Sequence, residues 1–533
     1  MDNGRGLLVR RKTMNRAWKT VLFSLCFFLL YSCSGPRDSL RILSGSENES
    51  LKPLIDDFCA KNHCAVDMSY KGSVDIMLDL GKQDVPFDAV WPANDIWISL
   101  GDKSFKVKRQ KSIMMSPVVF GVKKSLAEKL GFVGKTVRVK DLLSAIEGKK
   151  LSFAMTSASQ SNSGCAAYIG FLYALATPNG ALSIADLHKK ELKENIRSLL
   201  SGINRSSGSS AWLKDLFLKG DFDAMVNYES LIIETNKELV QAGREPLYIV
   251  YPVDGLVLAD SPLGYINQGD QKKEALFSKF QDYLLSPETQ SQIVKLGRRA
   301  GFPGTIEGDP KTFNPDWGID VKKILSPIAM PSGEVLLEAI NLYQTEFRKP
   351  SATVFCLDFS GSMEGNGVSQ VRDAMSLLLT PEKAREYLLQ PGSEDVTTII
   401  AFNDALIKSW TVRGNNPDTL GALLDSVKSL EPRGGTDIYS PIIAGLDSLQ
   451  KEDASRFLRA VILMTDGKSN SGRSFGNFET SWKQTGNGLP VFSIMFGEAS
   501  REQLGPLAET TLGNVFDGRT DLIAAFRKAK GFN

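Results

Sequence analysis

The sequence predicts an α/β protein built as two successive modules, the second a doubly wound, mostly parallel sheet. Three observations lead there. The chain has 533 residues, more than a single hydrophobic core holds. Short apolar strands alternate with amphipathic helices from Leu40 to about Pro310, and a second such series begins at Thr353. Between them, residues 305–350 are rich in proline, glycine and charge and read as a connector with one helical stretch, Glu334–Phe347.

Composition is that of a folded protein, with 42% hydrophobic and 23% charged residues. The net charge is +2, but the first twenty residues carry +5 (Arg5, Arg10, Arg11, Lys12, Arg16 and Lys19 against Asp2), which leaves −3 for the rest. Such a balance gives no electrostatic footprint for nucleic acid. The basic start runs into Val21–Tyr31, apolar except for Ser24, the layout of an export signal over residues 1–32. The run is short for a membrane-spanning helix. An uncleaved N-terminal anchor is the alternative, and both place the rest of the chain outside the cytoplasm. Leu30-Tyr31-Ser32-Cys33 resembles a bacterial lipobox, which implies lipidation of Cys33 and a tether over residues 33–39. Ser34 after that cysteine resembles the choice for the outer membrane. An oxidising compartment permits a disulfide between the neighbouring Cys59 and Cys64. Cys165 and Cys356 read as small buried hydrophobes.

In the first series, Arg41–Leu43 is a strand and Ser50–Lys61 a helix with Leu51, Leu54, Ile55 and Phe58 on one face. Asp88–Trp91, Pro117–Val122, Leu151–Ala154 and Asp223–Asn227 are strands. Lys124–Leu130, Cys165–Ala176, Leu231–Val240, Gln271–Leu285 and Pro287–Leu296 are helices, and Gly301–Gly304 breaks the chain. In the second series the strands are Thr353–Asp358, Thr397–Phe402, Ala460–Thr465 and Val491–Phe496. Its helices are Ser369–Leu379, Thr419–Leu430, Pro441–Leu449, Glu502–Thr510 and Thr520–Ala529.

Five positions in the second series carry chemistry. Asp358-Phe359-Ser360-Gly361-Ser362 follows a buried strand, where an open α/β sheet offers its ligand crevice. Thr436 follows Arg433-Gly434-Gly435, and Asp466 ends the apolar run Val461–Met464. Three strand or loop ends thus present only oxygen donors: Asp358, Ser360, Ser362, Thr436 and Asp466. Hydroxyls and carboxylates without His or Cys suit Mg²⁺ or Mn²⁺, with water completing the shell. Asp437 reads equally as a neighbour of the metal or as a helix N-cap, and Asp404 as a turn cap.

Residues 351–533 resemble a von Willebrand factor type A domain, and the five residues match its metal-ion-dependent adhesion site without substitution. The resemblance implies a Rossmann-like fold, direct coordination by Ser360, Ser362 and Thr436, and action through water by Asp358 and Asp466. It also implies that an Asp or Glu carboxylate of a partner protein completes the site.

The first half repeats another pattern, hydroxyls and amides where strands pass into helices. Examples are Ser44-Gly45-Ser46-Glu47-Asn48, Gly72-Ser73, Ser157–Gly164 and Tyr228-Glu229-Ser230. Helix N-termini of this kind cradle anions and polar ligands, though serine is also an ordinary N-cap. With Tyr70-Lys71-Gly72-Ser73, Phe87–Val90, Asp223–Ser230 and Leu285–Glu288, residues 40–312 resemble an extracellular solute-binding protein of the two-lobed periplasmic class. That leaves 313–350 as the connector. The resemblance implies one lobe from 40–115 and 255–312, a second from 116–250, and a cleft that closes by hinge motion. Candidate cleft residues are Ser44, Ser46, Ser73, Ser157, Ser161, Asn162, Tyr228 and Glu229, while Trp91 reads as a core aromatic before a stacking one.

The expected function is therefore that of an exported, lipid-anchored binding protein with a small solute in one module and a metal-bridged protein partner in the other. A receptor for an ABC-type transporter also fits the first module. An exported hydrolase fits poorly: the only histidines are His63 and His188, both in surface-like settings, and no nucleophile elbow appears.

Overall fold

The computed structural model describes residues 38–300, 310–322, 324–485, 488–519 and 521–531. The expected export signal, Cys33 and the Gly301–Gly304 break lie outside these residues.

The first module holds two sheets. Sheet one takes β1 (Ser39–Gly45), β2 (Ala65–Lys71), β3 (Ala89–Trp91), β4 (Val107–Ser112) and β11 (Pro262–Ile266), in the order β2-β1-β3-β11-β4. β1 pairs in parallel with β2 and β3, and β11 runs antiparallel between β3 and β4. Sheet two takes β5 (Ser116–Lys123), β6 (Phe153–Thr156), β7 (Ile203–Ser207), β8 (Ala224–Tyr228), β9 (Leu247–Val250) and β10 (Leu258–Ala259), in the order β10-β5-β8-β6-β7 with β9 also on β5. These are the two expected lobes. The return crossing falls later than expected, because β10 still pairs with β5 in lobe two.

Each lobe has its own apolar interior. Leu40, Ile42, Phe58, Trp91, Phe277 and Phe280 pack together in lobe one. Phe120, Phe153, Tyr168, Phe171 and Leu199 do so in lobe two. Trp91 is a core aromatic there: it is fully buried, edge-on to Phe280, and its indole N–H donates to the Ser261 carbonyl at 3.1 Å. The connector is part of lobe two rather than a free spacer. Its helix Gly333–Leu342 buries Val335, Leu336, Ala339 and Ile340 in that core, and the Tyr168 hydroxyl donates to the Ala339 carbonyl at 2.8 Å.

The C-terminal module is one sheet of β12 (Ser351–Asp358), β13 (Val396–Phe402), β14 (Leu406–Arg413), β15 (Leu458–Thr465), β16 (Val491–Met495) and β17 (Asn514–Asp517), in the order β14-β13-β12-β15-β16-β17. All pairings are parallel except the edge strand β14. Period-two alternation divides each central strand between two cores. Phe355, Leu357, Ile462 and Met464 face one layer of helices, while Val354, Cys356, Val461 and Leu463 face the other. Such burial on both faces is why Val354–Leu357 of β12 and Ala460–Met464 of β15 read as unbroken apolar runs.

Cys165 and Cys356 are fully buried, as expected. The expected disulfide is not formed: Cys59 and Cys64 are free thiols. Helix Lys52–Asn62 ends at His63, which is left-handed (φ 50°), and the Cys64 N–H closes the turn on the Cys59 carbonyl at 3.2 Å. The thiols lie side by side, and Cys64 is pushed up to about 11, by burial first and by Cys59 second.

Candidate metal centre and solute cleft

The register of the C-terminal sheet builds the candidate metal site. Leu357 pairs with Met464, so the next residues, Asp358 and Thr465, sit abreast at the carboxyl ends of adjacent central strands. The chain leaves β12 towards β13 and returns beside it as β15, so the crevice opens at a switch point in strand order. The Thr465 hydroxyl donates to Asp358 Oδ2 at 2.6 Å, and the Ser360 N–H to Oδ1 at 2.8 Å. Ser360 Oγ lies 3.1 Å from Ser362 Oγ, whose hydroxyl donates to Asp466 Oδ1 at 2.8 Å. A Cβ on Gly467 would stand 3.2 Å from Ser362 Oγ and 3.6 Å from Thr436 Oγ1, so this glycine lets the three segments meet. A Cβ on Gly367 would be 3.3 Å from Asp466 Oδ2.

Ser362, Thr436 and Asp466 line an open crevice of about 550 Å³. Asp358 and Ser360 are buried beneath it. Burial raises both carboxyls above their ordinary range, and Asp466 adds repulsion to Asp358. Among the described residues no cationic side chain hydrogen-bonds or ion-pairs with either carboxylate. Two carboxylates and three hydroxyls around one crevice, without an internal counter-charge, fit a hard divalent cation. Among the described residues no group of three His, Cys, Asp or Glu side chains is placed to hold a metal, so a cation at this crevice would need the hydroxyls beside the two carboxylates.

Asp437 is the cap of helix Tyr439–Leu449. Its Oδ1 accepts from the Tyr439 and Ser440 N–H groups at 3.0 and 3.1 Å. Asn403, not Asp404, holds its turn, accepting from the Ala405 N–H at 3.0 Å.

The solute candidates separate into groups. Ser161, Asn162 and Tyr228 come together where three helices of lobe two begin: Asn162–Ala176, Ser210–Lys219 and Glu229–Gln241. Ser161 Oγ lies 3.0 Å from Ser210 Oγ, and Asn162 Nδ2 donates to the Tyr228 hydroxyl at 3.0 Å. Lobe one reaches across to them. The Trp97 indole N–H donates to Asn162 Oδ1 at 2.7 Å, and Ser46 Oγ accepts from the Ala211 N–H at 3.3 Å. The Val74 N–H donates to the Gln160 carbonyl at 3.1 Å. A Cβ on Gly72 would stand 2.1 Å from that carbonyl oxygen, so only glycine allows the lobes this close. Ser44 accepts from Asn48 Nδ2 at 3.1 Å, and Ser73 from the Ala93 N–H at 3.0 Å, both within lobe one.

Two candidates belong elsewhere. Ser157 pairs with Ser159 at 3.0 Å and lines a small cavity against the connector with Tyr343, Gln344 and Arg348. Glu229 forms a fully buried ion pair with Arg299 beside the lobe crossing, at 2.7 Å, and accepts from the Tyr251 hydroxyl at 2.7 Å. Position between a strand end and the following helix suggested a ligand role for both. Sequence reasoning missed Trp97 and Ser210, which carry no motif. His63 and His188 are exposed, His188 lying 3.5 Å from Glu338.

Comparison with known proteins agrees with this division. Residues 40–299 match the family described as bacterial extracellular solute-binding protein, and residues 353–521 match the von Willebrand factor type A domain. Inter-alpha-trypsin inhibitor heavy chain H3 of Bos taurus is 29% identical over 156 residues, 28% of this chain and 16% of that protein. Its Mus musculus counterpart is 30% identical over 156 residues, again 16% of its length. The chain therefore spans under a fifth of these curated relatives. Among solved structures, the sulfate-binding protein SubI of Mycobacterium tuberculosis is 16% identical, with a TM-score of 0.41 over 57% of this chain and 98% of that one. The periplasmic binding protein AfuA of Actinobacillus pleuropneumoniae, solved with fructose-6-phosphate, is 14% identical, with a TM-score of 0.42 over 58% of this chain and 98% of that one. Among the described residues no helix is long and apolar enough to cross a membrane. The chain thus joins a bacterial extracellular solute-binding domain at residues 40–299 to a von Willebrand factor type A domain at residues 353–521.

Proposed function

We propose that this protein is exported, anchored through a lipid on Cys33, and binds two things at once: a small polar solute between its lobes and a partner protein at its metal site. The observation that carries the reading is the meeting of Asp358, Ser360, Ser362, Thr436 and Asp466 at one crevice, linked by contacts of 2.8–3.1 Å among Asp358, Ser360, Ser362 and Asp466. Mg²⁺ or Mn²⁺, when bound, supplies a Lewis-acid position for an outside Asp or Glu carboxylate. The chain's own residues do the rest. Thr465 and the Ser360 N–H fix the Asp358 carboxylate, Ser362 orients Asp466, and Gly467 and Gly367 keep the approach open. In the cleft, Ser161, Asn162, Tyr228 and Ser46 offer neutral donors and acceptors at helix starts, which suits a polar solute.

Calorimetric titration of MgCl₂ and MnCl₂ into the full chain tests the metal reading. Binding by the parent chain and none by Asp358→Ala is expected; equal binding by both would sink it. Loss of palmitate labelling in Cys33→Ser tests the anchor, and labelling that persists refutes it. The match of residues 40–299 also favours a second reading, a receptor that delivers solute to an ABC-type transporter. Solute uptake that persists in cells lacking this protein would count against it.

A further inference from the structure

The helix Leu522–Gly531, the last described element of the C-terminal domain, reaches out of that domain into the solute-binding one. One face belongs to its own core: Ala525, Phe526 and Ala529 are buried there, and Phe526 stacks on Phe355 at 5.8 Å. From the other face Arg527, 3% exposed, enters the mouth of the cleft. Its Nε donates to Asp75 Oδ1 at 2.8 Å, and its Nη2 to the Ser159 carbonyl at 2.8 Å. Asp75 stands on helix Ser73–Leu80 of lobe one, whereas Ser159 belongs to lobe two. A single guanidinium thus holds both sides.

The surrounding contacts repeat this. Gln160 of lobe two gives its backbone carbonyl to Val74 of lobe one, and its side-chain amide donates to the Arg527 carbonyl. The Ser206 hydroxyl donates to the Gly531 carbonyl at 3.2 Å, and Lys71 of lobe one lies 3.7 Å from Asp521. Beside the helix, a vestibule of about 500 Å³ is lined by Ser46 and Gly72 of lobe one, Gly208 and Ser209 of lobe two, and Asp521 and Lys528 of the domain that roofs it.

We propose that this terminal helix is a built-in clamp, which holds the two lobes closed and must let go of at least one of them before a solute passes. Hinge opening separates the lobes and so moves Asp75 away from Ser159, and one side chain cannot follow both. Whatever favours the docked helix therefore favours the closed cleft, and by reciprocity whatever opens the cleft loosens the helix. The inference rests on reading the space between the lobes as the solute site.

Hydrogen–deuterium exchange of the full chain, with no solute added, tests it. The Val74 and Ala211 amides bond across the lobes and report opening. Arg527→Ala and Asp75→Asn are each expected to speed exchange at both amides at least tenfold, with β12 still protected. Unchanged exchange at both amides in both variants would overturn the clamp. If Arg527→Ala also exposes β12, the C-terminal domain itself has loosened. Asp75→Asn, whose substitution lies in lobe one, then decides: faster exchange supports the clamp and unchanged exchange overturns it. A failed solute screen would strike the solute reading and leave this result standing.

Discussion

Replacing Glu229 with alanine separates a structural carboxylate from a ligand-binding one. Its carboxylate and the Arg299 guanidinium are 0% and 1% exposed, joined at 2.9 and 2.7 Å, with the Tyr251 hydroxyl donating at 2.7 Å. The substitution removes the carboxylate that neutralises a buried cation, which costs about 3–5 kcal/mol. The Tyr251 hydroxyl loses its acceptor, worth about 1 kcal/mol more. The sum, about 4–6 kcal/mol, corresponds to a fall in Tm on the order of 10–20 °C for a module of this size. Urea unfolding followed by circular dichroism measures it. Glu229→Ala/Arg299→Met is expected to recover most of the loss, because replacing both members of a buried pair by apolar groups is nearly neutral. A loss under about 1 kcal/mol in the single variant would refute the structural assignment and return Glu229 to the solute.

Three more outcomes follow from the geometry. Burial raises the folded-state carboxyls of Asp358 and Asp466, so their charged forms cost stability above those raised values, and the cost disappears as pH falls through them. Saturating MgCl₂ should therefore raise Tm at pH 7, by the equivalent of about 2.7 kcal/mol at a hundredfold excess over Kd, and lose effect as the carboxyls protonate; an equal shift in Asp358→Ala refutes this. Lys530 is lowered to about 7, by burial first, so its protonated form costs stability below that pH and the cost is relieved as pH rises towards its ordinary range. The urea midpoint should rise between pH 7 and 9 and flatten in Lys530→Met; parallel profiles would be a refutation. Asp437→Ala should cost about 1–2 kcal/mol through its lost cap while leaving Mg²⁺ affinity intact; lost Mg²⁺ binding in a folded chain would make it a member of the metal site.

The meeting of the five oxygen-bearing residues was legible because its signals are local. The apolar runs Val354–Leu357 of β12 and Ala460–Met464 of β15 lead into Asp358 and, past Thr465, Asp466, and a parallel register does the rest. β4 was not legible: Val-Lys-Arg-Gln-Lys-Ser has no apolar alternation and is a strand only because β11 pairs with it. The edge strand β14 and the four-residue β17 escaped for similar reasons. Glu229 and Ser157 show the limit of position alone, since a helix start or the loop before one serves an ion pair or a serine pair as readily as a ligand. The clamp left no trace in the sequence, because Asp75 and Arg527 are 452 residues apart and neither lies in a motif.

The order in which the chain emerges has a consequence for how it folds. β4 bonds to β11 alone among the described strands, and β11 follows the whole of lobe two in sequence. Lobe two can pack while lobe one still lacks its inner antiparallel strand, so lobe one closes late and its non-local pairing is slow. The clamping helix is later still, ending at Gly531 of 533 residues. Until residues 522–531 are made, the two lobes meet through their own contacts, such as Val74 with Gln160 and Trp97 with Asn162, without the link through Arg527. A chain at that stage would hold any solute by the lobes without the clamp.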